Sequence, residues 1–101
     1  MTRLELHKKL LTVCPRAYFQ PPESFKMTYP CIRYERSSGL SEYASNYTYK
    51  YNQGYNILYI SKDPDSEGII KQLLQLFPTI RYVRHYIADN LNHDLFTLYE
   101  I

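Results

Sequence analysis

The sequence predicts an α+β fold in which two helices pack on one face of a largely antiparallel sheet of four or five strands. Its 101 residues fit one domain, which we place at 1–101. Two stretches, at about 2–14 and 64–77, have apolar residues at three- and four-residue intervals and are predicted helices. The remaining apolar stretches alternate or are rich in β-branched and aromatic residues, as strands are.

The first helix has clear signals at both ends. Thr2 and Glu5 have the spacing of a capping box, and Pro15 ends the helix. We expect its buried face to consist of Leu4, His7, Leu10, Leu11 and Cys14.

The second helix belongs to a strand–turn–helix unit around which the chain is organised. Residues 55–60 form the strand and 61–66 the turn. Asp63 is the predicted N-cap and Pro64 the first helical residue, and Pro78 ends the helix. Its apolar side carries Ile69, Ile70, Leu73, Leu74 and Phe77.

Shorter strands are predicted on either side of this unit. Residues 16–20 form a short strand that Pro21 and Pro22 stop, so it lies at a sheet edge or forms an extended arm. Residues 30–36 form the next strand.

The C-terminal part predicts a hairpin. Residues 80–87 form one strand and 94–100 the other, with a polar turn region at 88–93. In the first strand we expect Tyr82, Arg84 and Tyr86 on one face; in the second, Leu95, Thr97 and Tyr99 are opposed to Phe96 and Leu98.

The segment 37–50 has no apolar periodicity but carries Tyr43, Tyr47 and Tyr49. Disordered segments are normally poor in aromatic residues. We interpret it as a projecting hairpin or loop that becomes ordered against a partner, with a mobile surface loop as the alternative.

Composition limits the classes of function. The chain has 12 Tyr, more than a small core needs, and tyrosine is favoured at interfaces. Basic and acidic residues are nearly balanced, with a net charge of +2, which does not indicate a nucleic-acid or membrane partner, so direct nucleic-acid binding is not expected.

Cys14 and Cys31 lack metal-ligand spacing and are interpreted as buried thiols. No signal peptide or membrane-spanning run is visible, which favours assembly and use in a cytosol.

The best catalytic candidate is the segment 85–94, which holds two His and two Asp. Its spacing fits no standard site, so structural capping of the hairpin is favoured over catalysis or metal binding. Asp63, Asp65 and Glu67 lack the pattern of a calcium loop and fit helix capping better. We predict no catalytic residue, metal or cofactor.

A weaker nucleic-acid hypothesis would use the following basic residues: Arg33, Arg36, Lys50, Arg81 and Arg84.

Four runs resemble a family of small structural proteins of tailed bacteriophages: 18–24 (YFQPPES), 29–32 (YPCI), 63–67 (DPDSE) and 84–99 (RHYIADNLNHDLFTLY). The element order is also similar to that of tail terminator, or tail completion, proteins of long-tailed phages. That resemblance implies an antiparallel sheet with two packed helices, a hexameric ring and no enzymatic activity. The ring would cap the tail tube and join it to the neck, so the implied partners are sister copies, the tail tube protein and head-completion proteins, in the virion.

A ring with rotational symmetry needs two different patches on each subunit. Our candidates are the segment 37–50 and the edge at about 16–23. The predicted interface residues are Tyr18, Phe19, Arg36, Leu40, Tyr43, Tyr47, Tyr49 and Tyr51. Another head–tail connector, such as a head-closure or minor capsid protein, is the alternative that the sequence leaves open.

Overall fold

The computed structural model describes residues 2–22, 24–37, 40–44, 47–52 and 54–99, with backbone alone for 40–44 and 47–52. The elements, in chain order, are α1 (Arg3–Val13), β1 (Ala17–Phe19), β2 (Cys31–Arg36), β3 (Leu40–Ala44), β4 (Tyr47–Asn52), β5 (Gly54–Ser61), α2 (Glu67–Leu76), β6 (Arg81–Ala88) and β7 (Leu91–Tyr99).

Five of the strands form one sheet in the order β1-β2-β5-β7-β6, and β3 and β4 form a separate antiparallel pair. Within the five-stranded sheet, β1 and β2 are parallel and the other neighbours are antiparallel. The predicted α+β class, with two helices and a largely antiparallel sheet, is therefore confirmed. The prediction that the strand near residue 18 lies at an edge is also confirmed.

The core lies between the two helices and one face of the five-stranded sheet, which we call the helix side. Alternation along the strands sends every second side chain into this layer. Its buried members are Leu6, Leu10, Cys14, Ile32, Tyr34, Tyr55, Ile57, Tyr59, Leu73, Phe77, Ile80, Phe96 and Leu98. The predicted separation of Leu95, Thr97 and Tyr99 from Phe96 and Leu98 is confirmed, since Phe96 and Leu98 belong to this core.

The predicted buried face of α1 is wrong at two positions. Leu4 is 63% exposed and Leu11 41% exposed, whereas Leu6 is fully buried. Leu6, Leu10 and Val13 are spaced by four and three residues, so they form the stripe that faces the sheet. The start of α1 is as predicted, because the Thr2 hydroxyl accepts the Glu5 N–H at 3.2 Å.

The predicted N-cap of α2 is also wrong. Ser66 occupies that position and the helix begins at Glu67. The Asp63 carboxylate instead accepts the Asp65 N–H at 2.9 Å, which closes a local turn before the helix. The Ser66 hydroxyl makes no capping bond and donates to Asp94 at 2.6 Å. A tertiary contact has therefore replaced the local cap that the sequence suggested.

The hairpin between β6 and β7 has a much shorter turn than the predicted 88–93. Asp89 and Asn90 alone form it, with φ angles of 53° and 62°. Two consecutive residues with positive φ are characteristic of the type I′ turn, which matches the twist of antiparallel strands. Because the turn is so short, β7 begins at Leu91, and His93 pairs with Tyr86.

The pairing of β6 with β7 shifts register between Tyr82 and Arg84, which indicates a β-bulge at Val83. An extra residue reverses the alternation of side chains beyond it. Tyr82 therefore lies on the helix side, where its ring centroid is 5.2 Å from that of Phe96. Arg84 and Tyr86 lie on the opposite face, so the prediction that the three residues share one face is wrong at Tyr82.

Candidate interaction surfaces

The face of the five-stranded sheet opposite the helices, which we call the helix-free face, carries a row of residues that crosses all five strands. Tyr18 is paired with Arg33, Arg33 with Leu58, Leu58 with Leu95, and Leu95 with Arg84. Paired residues on neighbouring strands point to the same face. The row therefore has an arginine near each end and two leucines between them.

A second and a third row flank this one. In one, Glu35, Asn56, Thr97 and Arg81 are paired in succession. In the other, the order is Cys31, Ile60, His93 and Tyr86. The register thus places three arginines and one histidine on this face. Among the described residues, Glu35 is the acidic side chain that it places there.

Aromatic and cationic groups contact each other at the β6 end of the helix-free face. The rings of Tyr86 and His93 are stacked, with centroids 4.8 Å apart and planes 11° apart. The guanidinium carbon of Arg84 lies 5.0 Å from the Tyr86 ring centroid, within the range of a cation–π contact. The result is a compact group of three side chains that can present both positive charge and ring surface.

Two depressions lie next to each other on this face and share Arg33. One, of about 240 Å³, is lined by Arg33, Glu35, Asn56, Leu58, Tyr86 and Leu95. The other, of about 220 Å³, is lined by Pro21, Pro22, Phe25, Met27 and Arg33. Because Phe25 also packs edge-on against Tyr18, at 5.1 Å between centroids, the segment after β1 borders the face at that end.

The two edges of the five-stranded sheet differ from each other. In the described part of the chain, β6 pairs only with β7 and β1 only with β2. The β6 edge is eight residues long and exposes apolar side chains, including Val83 and, at 69%, Ile87. The β1 edge is three residues long and its side chains are half-buried. Unpaired strand edges offer backbone donors and acceptors to a further strand.

Of the predicted interface residues, Tyr18, Phe19 and Arg36 fall where side chains are described. Tyr18 lies on the helix-free face and its hydroxyl accepts the Thr28 N–H at 3.5 Å. Phe19 lies on the helix side, 5.0 Å from the Tyr34 ring and 4.5 Å from the Arg3 guanidinium. Neighbours on one strand point to opposite faces, so these two residues cannot belong to a single face of the sheet. The exposed Arg36 is tied to the same edge, because its N–H donates to the Gln20 side chain at 3.1 Å.

The other five predicted interface residues lie in the β3–β4 pair, and their side chains are outside the described part: Leu40, Tyr43, Tyr47, Tyr49 and Tyr51. The backbone of this segment forms two antiparallel strands, with a register shift between Glu42 and Tyr43. Residues 38–39 and 45–46 of the predicted projecting segment lie outside the described residues.

The histidines and aspartates of the segment 85–94 are not gathered in one site, although His85 and Asp94 are paired across β6 and β7. His85 bonds to the Asn92 side chain at 3.1 Å, and His93 bonds to the Leu91 carbonyl at 3.0 Å. His93 lies on the helix-free face and Asp94 on the helix side. Across the described residues, no group of three or more His, Cys, Asp or Glu is arranged to hold a metal ion.

Asp94 has a structural role instead. Its side chain is 1% exposed and accepts two hydroxyl hydrogen bonds, from Ser66 at 2.6 Å and from Tyr82 at 3.0 Å. Burial and the hydrogen bond to Asp94 raise the pKa of Tyr82, so its phenol keeps its proton and remains a donor. The Asp94 carboxylate on β7 thereby links Ser66, the N-cap residue of α2, to Tyr82 on the edge strand β6.

Both cysteines are free and buried. Burial, together with the neighbouring Cys14, raises the pKa of the Cys31 thiol from 9.0 to about 11. A thiol that keeps its proton is a poor nucleophile and a poor metal ligand. The prediction of buried thiols is confirmed.

The chain matches no protein-family model, and no curated protein matches it. Within the described ranges, neither helix has the length and apolar character needed to cross a bilayer.

Sequence reasoning found several of these charged and aromatic residues but not their arrangement. Arg33, Arg81 and Arg84 were grouped only by residue type, and the bulge that separates Tyr82 from Arg84 has no sequence signal of its own. The Asp89–Asn90 pair is the exception. Its type I′ preference could have indicated that Tyr86 and His93 are cross-strand neighbours.

Proposed function

We propose that this protein is a structural component of a phage virion, a tail terminator whose copies form a hexameric ring on the tail tube. The observation that carries the proposal is the pair of unlike sheet edges, β6 and β1, that have no further strand partner among the described residues. A head-to-tail ring requires two different patches on each subunit, and two unlike edges supply them. The resemblance of the four sequence runs to small tailed-phage proteins supports the same function.

The proposed mechanism is surface complementarity rather than chemistry. In a ring, the β6 edge of one copy would meet a different surface of the next, and burial of Val83 and Ile87 would stabilise the contact. The assembled ring would cover the open end of the tube with one rim and present the other rim to neck proteins. Supporting this, His85, His93 and Asp94 are engaged in structural hydrogen bonds, and both cysteines are buried.

The test is the oligomeric state of the full chain by native mass spectrometry and light scattering across a concentration series, together with binding to purified tail tubes. We expect a ring and binding at tube ends. A strict monomer that does not bind tubes would refute the proposal. Co-purification with the portal rather than the tube would assign the protein to another part of the head–tail connection.

A matched pair of variants tests the edge directly. Ile87 and Leu4 are similarly exposed, at 69% and 63%, but lie on the β6 edge and on α1 respectively. We expect Ile87→Lys to leave a folded monomer that no longer assembles, because a lysine on an edge strand opposes pairing with another strand. Leu4→Lys should assemble normally. Equal assembly of both variants would contradict the use of the β6 edge.

A further inference from the structure

We propose that the helix-free face of the five-stranded sheet binds single-stranded nucleic acid. This goes beyond the proposed ring function and does not depend on it. The juxtaposition that carries the inference is the cross-strand row from Arg33 through Leu58 and Leu95 to Arg84, flanked by the stacked pair Tyr86 and His93.

The row provides charge at two separated points and apolar surface between them. Arg33 and Arg84 are three strand spacings apart, which is roughly 14 Å between their backbones. Arginine is well suited to phosphate because its guanidinium carries fixed charge in a planar fork. Leu58 and Leu95 are half-buried and line the depression beside Arg33, which Glu35 and Tyr86 also line. A strand laid across the sheet could place phosphates at the arginines and bases on these leucines.

The aromatic group adds a surface for stacking. The Tyr86 ring stacks on His93 and has the guanidinium of Arg84 over it, so the plane that this group offers to a base is that of the exposed Arg84. Unpaired bases stack on exposed aromatic, imidazole and guanidinium planes, and this stacking tolerates any base. Bases in a duplex are already stacked on each other, so a stacking surface of this kind favours a single strand over a double helix.

The charge of this face differs from that of the whole chain. The net charge of +2 gave no indication of a nucleic-acid partner. On the helix-free face, however, the strand register places three arginines, Arg33, Arg81 and Arg84. Among the described residues, it places one acidic side chain there, Glu35. Charge complementarity therefore points to a polyanion. An acidic polypeptide would satisfy the arginines but would leave the stacked rings and the two leucines without planar partners.

The test is a fluorescence-anisotropy titration of the full chain with fluorescein-labelled oligothymidylate over a series of salt concentrations. We expect binding that weakens with salt. Removing two phosphate contacts with Arg33→Gln/Arg84→Gln should reduce the slope of log K against log salt by about 1.4, at about 0.7 per contact. Tyr86→Ala should weaken binding by about 5-fold or more with little change in that slope, since it removes the ring on which Arg84 and His93 are held rather than a charge.

The matched control is Lys8→Gln/Lys71→Gln, which removes the same charge from exposed positions on the two helices. We expect it to bind like the parent chain. Circular dichroism and thermal melting confirm that each variant is folded before it is titrated. An equal loss with the lysine control would overturn the inference, because binding would then follow net charge alone. No binding, equal binding to a duplex of the same length, or tighter binding to labelled polyglutamate would also overturn it.

Discussion

Replacing Asp94 should destabilise the fold more than replacing any exposed acidic residue. The side chain is 1% exposed and is the shared acceptor for the Ser66 and Tyr82 hydroxyls. A hydrogen bond to a charged group contributes about 1.5–3 kcal/mol. Ser66 is buried, so its bond belongs near the upper end of that range. Tyr82 is 39% exposed, so water can replace its acceptor, and its bond belongs near the lower end.

The two bonds together suggest a loss of about 4.5 kcal/mol, and removing a carboxylate that is costly to bury offsets part of that loss. We therefore expect Asp94→Ala to lower the free energy of unfolding by about 3 kcal/mol. Single variants separate the two bonds: we expect a loss of about 3 kcal/mol for Ser66→Ala and about 1.5 kcal/mol for Tyr82→Phe. Because all three side chains belong to one network, the losses in double variants should be smaller than the sums.

The assay is urea denaturation followed by circular dichroism, at one fixed protein concentration so that assembly does not alter the comparison. Glu35→Ala is the control, since Glu35 is exposed on the same sheet, and we expect it to stay within about 0.5 kcal/mol of the parent chain. If Asp94→Ala were no more destabilising than this control, the carboxylate would not be joining α2 to the edge strand. Fully additive double variants would likewise contradict a shared network.

Two further predictions concern other parts of the chain. Removing residues 39–48 should leave the melting temperature of the monomer nearly unchanged, because β3 and β4 pair in a sheet of their own. The same deletion should abolish assembly, because it removes the predicted interface residues Leu40, Tyr43 and Tyr47. Loss of folding in a thermal melt would contradict this prediction. Because burial raises the pKa of Cys31 to about 11, its alkylation by iodoacetamide should be slow at pH 8 and rise as the pH approaches 11. Mass spectrometry of tryptic peptides from timed samples of the parent chain, in which Cys14 and Cys31 fall in different peptides, measures it, and rapid modification of Cys31 at pH 8 would refute the assignment.

The helices and strands of this fold could be predicted from local sequence patterns. The face of the sheet on which a given side chain lies could not always be predicted. Strict alternation in β7 correctly separated Phe96 and Leu98 from their neighbours. In β6 the same reasoning failed at Tyr82, because one bulged residue reverses the alternation and the sequence does not mark it. The prediction of the α2 N-cap failed for another reason. Asp63 has the right local chemistry, but the helix position is set by Ser66 reaching a carboxylate 28 residues away.

The candidate surfaces depend even more strongly on register. Arg33 and Arg84 are 51 positions apart in the chain, and they fall in one row only because three successive strand pairings align them. A shift of one residue in any of these pairings would send one arginine to the helix side. The bulge at Val83 and the two-residue turn at Asp89–Asn90 are what hold β6 in that register. Lengthening this turn by one residue should therefore disturb the arginine row while leaving the composition and net charge of the chain almost unchanged, which is why neither quantity could have indicated the face.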